Sequence, residues 1–192
     1  SILTLATVVS AKAKSPSVQA PAGTGEFAGA RVGNYNFSPI GCGTWAWGNK
    51  LLWGYNPDKD DSAIQECYDY VTRNGVNWFD TADSYGTGAL NGRAEQLLGR
   101  FARDQSQGQG QGQARQMGLF TRTGSASTSK GRSPPVIATK LAPYPWRVGP
   151  DSMVAAAEAS IARLGRPIDM VQLHWLPPLG WQEKAYLEGL GR

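Results

Sequence analysis

The chain has 192 residues, 41% hydrophobic and 18% charged, which is enough for one ordinary globular domain with a sizeable core. Its net charge of +4 has a single source: residues 102–134 carry Arg103, Arg115, Arg122, Lys130 and Arg132 against Asp104 alone. Charges are mixed elsewhere, with no basic stripe interleaved with aromatics, so nucleic acid is excluded as a partner. No apolar run approaches the ~18 residues of a membrane span.

Residues 1–30 are rich in Pro, Ala, Ser and Gly and read as a flexible tail. The first 25 contain no Asp or Glu but include Lys12 and Lys14, the composition of an organellar transit-peptide remnant. An arbitrary disordered tail is the alternative. The chain starts at Ser1 and its first methionine is Met117, so residues are expected in front of it. "RVGNYNFSPI" (31–40) predicts a short hairpin turning near Gly33–Asn34. "IGCGTWAWG" (40–48) reads as a buried strand and its exit loop. Residues 60–74 start with acidic caps, place Ala63, Cys67, Tyr70 and Val71 on one face and stop at Gly75, which predicts a helix. Cys42 and Cys67 have no metal or redox spacing and read as buried free thiols, suited to a reducing compartment.

"VNWFDTA" (76–82) predicts a second strand and "GRAEQLLGRFARD" (92–104) a second helix. The low-complexity stretch 102–134 has little to bury and is expected to be a disordered insertion. "VIATKLA" (136–142) is a third strand. Residues 151–165, with Asp151 as cap and Gly165 as stop, are a third helix, and "IDMVQLHW" (168–175) is a fourth strand. The order β-α-β-α-β-α-β argues for a parallel sheet with right-handed crossovers, either doubly wound or part of a (β/α)8 barrel. Two G-x-G-x-x-A patterns, "GTGEFA" (23–28) and "GCGTWA" (41–46), lack the strand-before, helix-after context of a dinucleotide loop and are rejected.

In either architecture chemistry gathers at the carboxyl ends of the strands. The four strands end near Thr44–Trp45, at Asp80 with Tyr85 just beyond, at Lys140, and at His174. His174, the lone histidine, could equally be a satisfied core residue. Taken together, the four ends supply an acid, a phenol, an amine and an imidazole. An ammonium next to a phenol lowers its pKa, a carboxylate holds the ammonium charged and in place, and an imidazole orients a carbonyl. Such a set suits protonation of a carbonyl oxygen while hydride arrives at carbon. No Ser–His–Asp spacing competes, and no metal is expected.

Over about residues 31–192 the sequence resembles the N-terminal part of an aldo-keto reductase. The D-T-A-x-x-Y motif stands at Asp80 to Tyr85, the lysine motif in "ATK" ending at Lys140, the histidine motif in "QLHW" at His174–Trp175, and "GxGTW" at Gly41 to Trp45. "AEQLLGRF" resembles the helix after the tyrosine loop, and "TWAWGN", "ATKLAPYPWR" and "AYLEGLG" are similar to a plant and algal chloroplast branch.

The resemblance implies the N-terminal half of a (β/α)8 TIM barrel: about four parallel strands with helices, preceded by a short hairpin. It implies Tyr85 as proton donor with Lys140, Asp80 and His174 as its catalytic partners. NADPH would be the cofactor, touched by Gly43, Thr44, Trp45 and Asp80. An aldehyde or ketone would be the substrate, walled by Trp45, Trp47 and Trp175. The location implied is the chloroplast, with the cytoplasm as alternative. Most of the family's NADP cradle lies in four further strands that this sequence does not contain. Two functions are therefore expected: an NADP-dependent carbonyl reductase represented by its N-terminal half, or a catalytically silent subunit with a structural or binding role in a larger complex. A half barrel has two open sheet edges, so this chain alone is expected to be inactive and to aggregate, dimerise or require a protein partner covering those edges. The insertion falls at the end of the barrel remote from the chemistry.

Overall fold

A computed structural model of the chain describes residues 29–86, 91–115, 135–177 and 180–192, with the backbone alone for 106–115. Strands β1 (Ala30–Val32) and β2 (Tyr35–Phe37) form an antiparallel hairpin that pairs Val32 with Tyr35. Gly33 takes φ 57 in the two-residue turn, where the twist of the strands requires positive φ. The hairpin is bound to the start of the sheet. Ser38 N donates to Asn77 Oδ1 at 2.8 Å, Asn77 Nδ2 to Asn36 O at 2.8 Å, and the Trp78 indole to Ser38 O at 3.0 Å.

The remaining elements are β3 (Cys42–Gly43), α1 (Lys50–Trp53), α2 (Pro57–Arg73), β4 (Trp78–Asp80), α3 (Arg93–Arg115), β5 (Val136–Leu141), α4 (Pro150–Leu164), β6 (Met170–Leu173) and α5 (Gly180–Leu190). The four strands of the second sheet lie in chain order, β3-β4-β5-β6, and all pair in parallel. Each new strand is added on the same side. A doubly wound sheet reverses direction at a switch point; a barrel does not. The chain therefore folds as about four βα units of a (β/α)8 barrel, preceded by a short hairpin.

Strand alternation separates the two faces of this sheet. Phe79, Ile137, Thr139 and Leu141 point into the helix layer and are fully buried. The main core joins Phe79 and Ile137 to Tyr68 of α2, Leu97, Leu98 and Phe101 of α3 and Leu164 of α4. A second cluster packs Leu141 against Met153 and Ala156 of α4 and Tyr186 of α5.

Several elements differ from expectation. Helix α2 starts at Pro57, because Asn56 caps it by accepting from Asp58 N and proline is well tolerated at the first helical position. Its inner stripe is Ile64, Tyr68, Val71 and Thr72, while Ala63, Cys67 and Tyr70 face outward. Cys67 is thus an exposed thiol and Cys42 a partly buried one, in place of the two buried thiols predicted. Helix α3 continues past Asp104 to Arg115, so residues 102–115 are helical where disorder was expected. Once a helix is nucleated, each added residue gains a hydrogen bond, which offsets the unfavourable glycines of "QGQGQG". The rest of the low-complexity stretch, 116–134, and the tail 1–28 lie outside the described residues. The short α1 and the C-terminal α5 were not foreseen; α5 begins at Gly180, which is a poor signal for a helix start.

The approach of α3 to α4 depends on a missing side chain. A Cβ on Gly99 would sit 2.1 Å from Leu164 O, a backbone atom that cannot swing aside. Gly99→Ala is therefore expected to lower the urea midpoint, with an overpacking cost of about 1–3 kcal/mol that the ~1 kcal/mol gain in helix propensity only partly offsets. An unchanged or raised midpoint would show that the two helices can separate freely.

Candidate active site

Asp80 is the last residue of β4 and Lys140 the fifth of β5. Asp80 pairs with Ala138, so Lys140 stands two residues further along the same face and its side chain reaches back across the strand end. Its ammonium lies 2.6 Å from both Asp80 carboxylate oxygens and 2.9 Å from Thr81 O. These three acceptors match the three protons an ammonium can donate. His174 follows β6 and continues the ladder by donating its N–H to Leu141 O at 3.0 Å. Tyr85 closes the group: its ring centre is 5.0 Å from Lys140 Nζ and 5.4 Å from the imidazole, edge to face. The structure thus brings Asp80, Tyr85, Lys140 and His174 onto one rim, as the strand ends suggested.

The electrostatics depart from the expectation in one respect. Lys140 does not lower the tyrosine pKa. Tyr85 is pushed up to about 12, first by burial and then by the Asp80 charge. The ammonium gives all its donors to Asp80 and Thr81 and meets the phenol over the ring, not at the hydroxyl. Tyr85 is accordingly a protonated phenol at neutral pH. His174 is pulled down to about 4, by burial foremost and then by Lys140, against the opposing pull of Asp80. It is a neutral imidazole at neutral pH, able to donate one hydrogen bond and accept another.

That shift has a measurable consequence, since the chain contains one histidine. The imidazole resonances are expected to titrate near pH 4 instead of 6.5. Between those values the unfolded chain binds the proton and the folded chain does not, so stability is expected to fall as pH drops from 6.5 towards 4. A midpoint near the ordinary histidine value would show an open, solvated imidazole.

The five other candidates fare unequally. A Cβ on Gly43 would meet nothing within 4 Å, so the end of β3 is open above this residue. Trp45 is 53% exposed and holds its ring edge-on to Trp53. Thr44 is fully buried and its hydroxyl donates to Asp80 O at 3.1 Å, so it fixes the end of β4 and presents no side chain to the rim. Trp47 is a correction. It is 7% exposed and packs on Phe79 and Phe101 in the main core, on the helix side of the sheet and opposite Asp80. It cannot wall a substrate at the rim. Trp175 does lie there, 46% exposed, its ring 4.6 Å from His174.

The structure adds neighbours that the motifs did not single out. Ser84 Oγ is 3.1 Å from His174 Nδ1. Asp83, buried, accepts from Ala142 N and pairs with Arg147 at 2.6 Å, which ties the tyrosine loop to the loop after β5. Tyr144 of that loop stacks on Trp146 at 4.5 Å and meets Trp175 edge-on at 6.3 Å. The second aspartate in "DTADSY" and the dense aromatics of "APYPWR" were the available signals. Among the described residues no group of His, Cys, Asp and Glu could hold a metal ion, and no helix is long and apolar enough to cross a membrane.

The fold is a parallel half barrel of the α/β-barrel class, with an Asp–Lys pair, a protonated tyrosine and a neutral histidine at its carboxyl rim. The sequence profile of the aldo/keto reductase family matches residues 39–187, and the chain belongs to that family. A chloroplastic pyridoxal reductase of Arabidopsis thaliana is 44% identical over 148 residues, which are 76% of this chain and 34% of that protein. The chain thus spans about a third of the length of that curated relative. Among solved structures, a thermostable aldo-keto reductase with the inhibitor epalrestat aligns at 22% identity and TM-score 0.54, over 82% of this chain and 47% of that one. An aldo-keto reductase of Klebsiella pneumoniae in complex with NADPH aligns at 23% identity and TM-score 0.50, over 81% and 43%. At these identities the likeness is one of fold.

Proposed function

We propose that these residues form the proton-donating part of an NADPH-dependent carbonyl reductase of the chloroplast, acting on an aldehyde of the pyridoxal kind. The observation that carries this reading is the contact set Asp80–Lys140–Tyr85–His174 at one rim. The relative named for pyridoxal reduction and for the chloroplast supports the substrate class and the location. Cytoplasmic residence is the competing location.

In this reading the carbonyl oxygen sits between Tyr85 and His174. The neutral imidazole donates a hydrogen bond that polarises the C=O bond. Tyr85 gives its hydroxyl proton to the oxygen as the carbon is reduced, and an alcohol results. The Lys140 ammonium, held by Asp80 and Thr81, lies over the Tyr85 ring and fixes the phenol beside His174. A nicotinamide, when bound, supplies the hydride. The residues present fit its ring: Gly43 leaves open space at the end of β3, Asp80 pairs with Gly43 across the sheet, and Trp45 is an exposed aromatic flank.

The test is consumption of NADPH with pyridoxal by a full-length form that carries the complete barrel, matched mole for mole by alcohol. NADPH binding with no turnover on pyridoxal or simple aldehydes would leave the silent-subunit reading in its place.

A further inference from the structure

We infer that Ser84 is a positioning residue for His174: its hydroxyl donates to Nδ1 and so selects the imidazole tautomer that carries its proton on Nε2. This rests on the carbonyl-reductase reading for its purpose, though not for its geometry.

A neutral imidazole has one N–H and one bare nitrogen, and the bond made at one nitrogen decides which is which. Ser84 Oγ is 3.1 Å from Nδ1. Two arrangements are open to this pair. Either Nδ1–H donates to the serine oxygen, or the serine O–H donates to a bare Nδ1. The first leaves the serine proton to find another acceptor, and no other hydrogen bond of Ser84 is seen among the described residues. The second uses the serine proton and frees the serine oxygen to accept.

A buried donor stands ready for that oxygen. Tyr144 Oη is shielded from water and makes no hydrogen bond, and the Ser84 hydroxyl is near enough to act on its ionisation. A phenol donates better than it accepts. A turn of the phenol hydroxyl toward Ser84 Oγ would complete the order Tyr144 to Ser84 to His174 Nδ1 and satisfy all three groups, whereas the reverse order leaves a buried proton idle. The arrangement is rigidly founded. Ser84 follows Asp83, which is anchored to Ala142 N and Arg147, and Tyr144 lies under the Arg147 guanidinium, 5.0 Å from ring centre to Cζ. Both loops are therefore clamped by one ion pair, and the serine reaches Nδ1 from a fixed backbone.

For the chemistry this matters because Nε2–H is a donor and a bare Nε2 is not. A carbonyl oxygen needs a donor. In the other tautomer the imidazole would present a lone pair to that oxygen and repel it.

The experiment is nitrogen NMR of the protein labelled with ¹⁵N-histidine, in which the one histidine gives an unambiguous pair of signals. The wild-type protein at neutral pH is expected to show a protonated Nε2 and a bare Nδ1. Ser84→Ala is expected to mix the two tautomers, and Ser84→Thr, which keeps a hydroxyl, to restore one. Tyr144→Phe is expected to weaken the preference in the same direction. In turnover, Ser84→Ala is expected to reduce kcat about tenfold, the scale of one hydrogen bond, with KM nearly unchanged. A protonated Nδ1 in the wild type, or a tautomer that Ser84→Ala leaves untouched, overturns the inference. Absence of reductase activity with the Nε2–H tautomer present and serine-dependent overturns the functional reading alone.

Discussion

In a full-length form with the complete barrel, Tyr85→Phe is expected to abolish most turnover, by about 10²–10⁴-fold in kcat, and to leave NADPH binding unchanged. The substitution removes one oxygen and keeps the ring that lies against His174 and under Lys140. Packing at the rim should therefore persist, and the Lys140–Asp80 pair does not depend on the hydroxyl, since it is closed by Asp80 and Thr81 alone. What is lost is the one group in contact with both Lys140 and His174 that holds a transferable proton at neutral pH. The high pKa of Tyr85, about 12, sharpens the expectation. The phenol is fully protonated across the physiological range, so the rate is not expected to fall between pH 6 and 9 through loss of that proton. It is a weak acid when alone, and the transfer depends on the rising basicity of the carbonyl oxygen as its carbon is reduced. Tryptophan quenching on NADPH addition measures binding separately from turnover. A variant that retains full kcat would remove Tyr85 from the proton path and shift the proton donor to His174 or water.

The strand ends could be read from sequence because the relevant facts are local. "WFDTADSY" combines alternation with a polar stop, and alternation alone assigns Phe79 to the helix layer and Asp80 to the other face. Parallel strands in register then bring Asp80, Lys140 and His174 together. The loop after β3 was less legible. Trp45 and Trp47 are two residues apart, which in a strand would put them on one face, but the chain turns there and Gly48 takes φ 74. Trp45 stays at the surface while Trp47 enters the core. The stripe of α2 was misjudged by one residue because 63, 67, 70 and 64, 68, 71 both satisfy the helical period. Tyr68, the large aromatic that stacks on Phe79, decides between them only once the sheet is present. The effect of Lys140 on Tyr85 was misjudged for a different reason. A charge acts according to distance and to what else it touches, and sequence supplies neither.

The largest loss of stability is expected from Glu95→Ala. Glu95 is fully buried in the first turn of α3. One carboxylate oxygen accepts from Thr139 Oγ1 of β5 at 2.5 Å, the other from Arg163 Nε of α4 at 2.6 Å. Three elements thus meet at one side chain, on the helix face of the sheet and away from the rim. Arg163 is tied further to Ser160 Oγ at 2.9 Å and cannot readily swing out to water. Removing the carboxylate leaves a guanidinium and a buried hydroxyl without their acceptor. Breaking one partner of such a pair costs about 3–5 kcal/mol, well above the ~1 kcal/mol of a surface ion pair. The cost lies in the abandoned charge more than in the lost attraction. Glu95→Leu combined with Arg163→Met is therefore expected to recover much of the loss, because neither charge then needs solvation in the interior. Urea unfolding of the wild type, the single variant and the double variant measures the difference. A single variant within ~1 kcal/mol of wild type would mean that water reaches Arg163, and that the α3–α4 seam is held by the Gly99 contact and the apolar core instead.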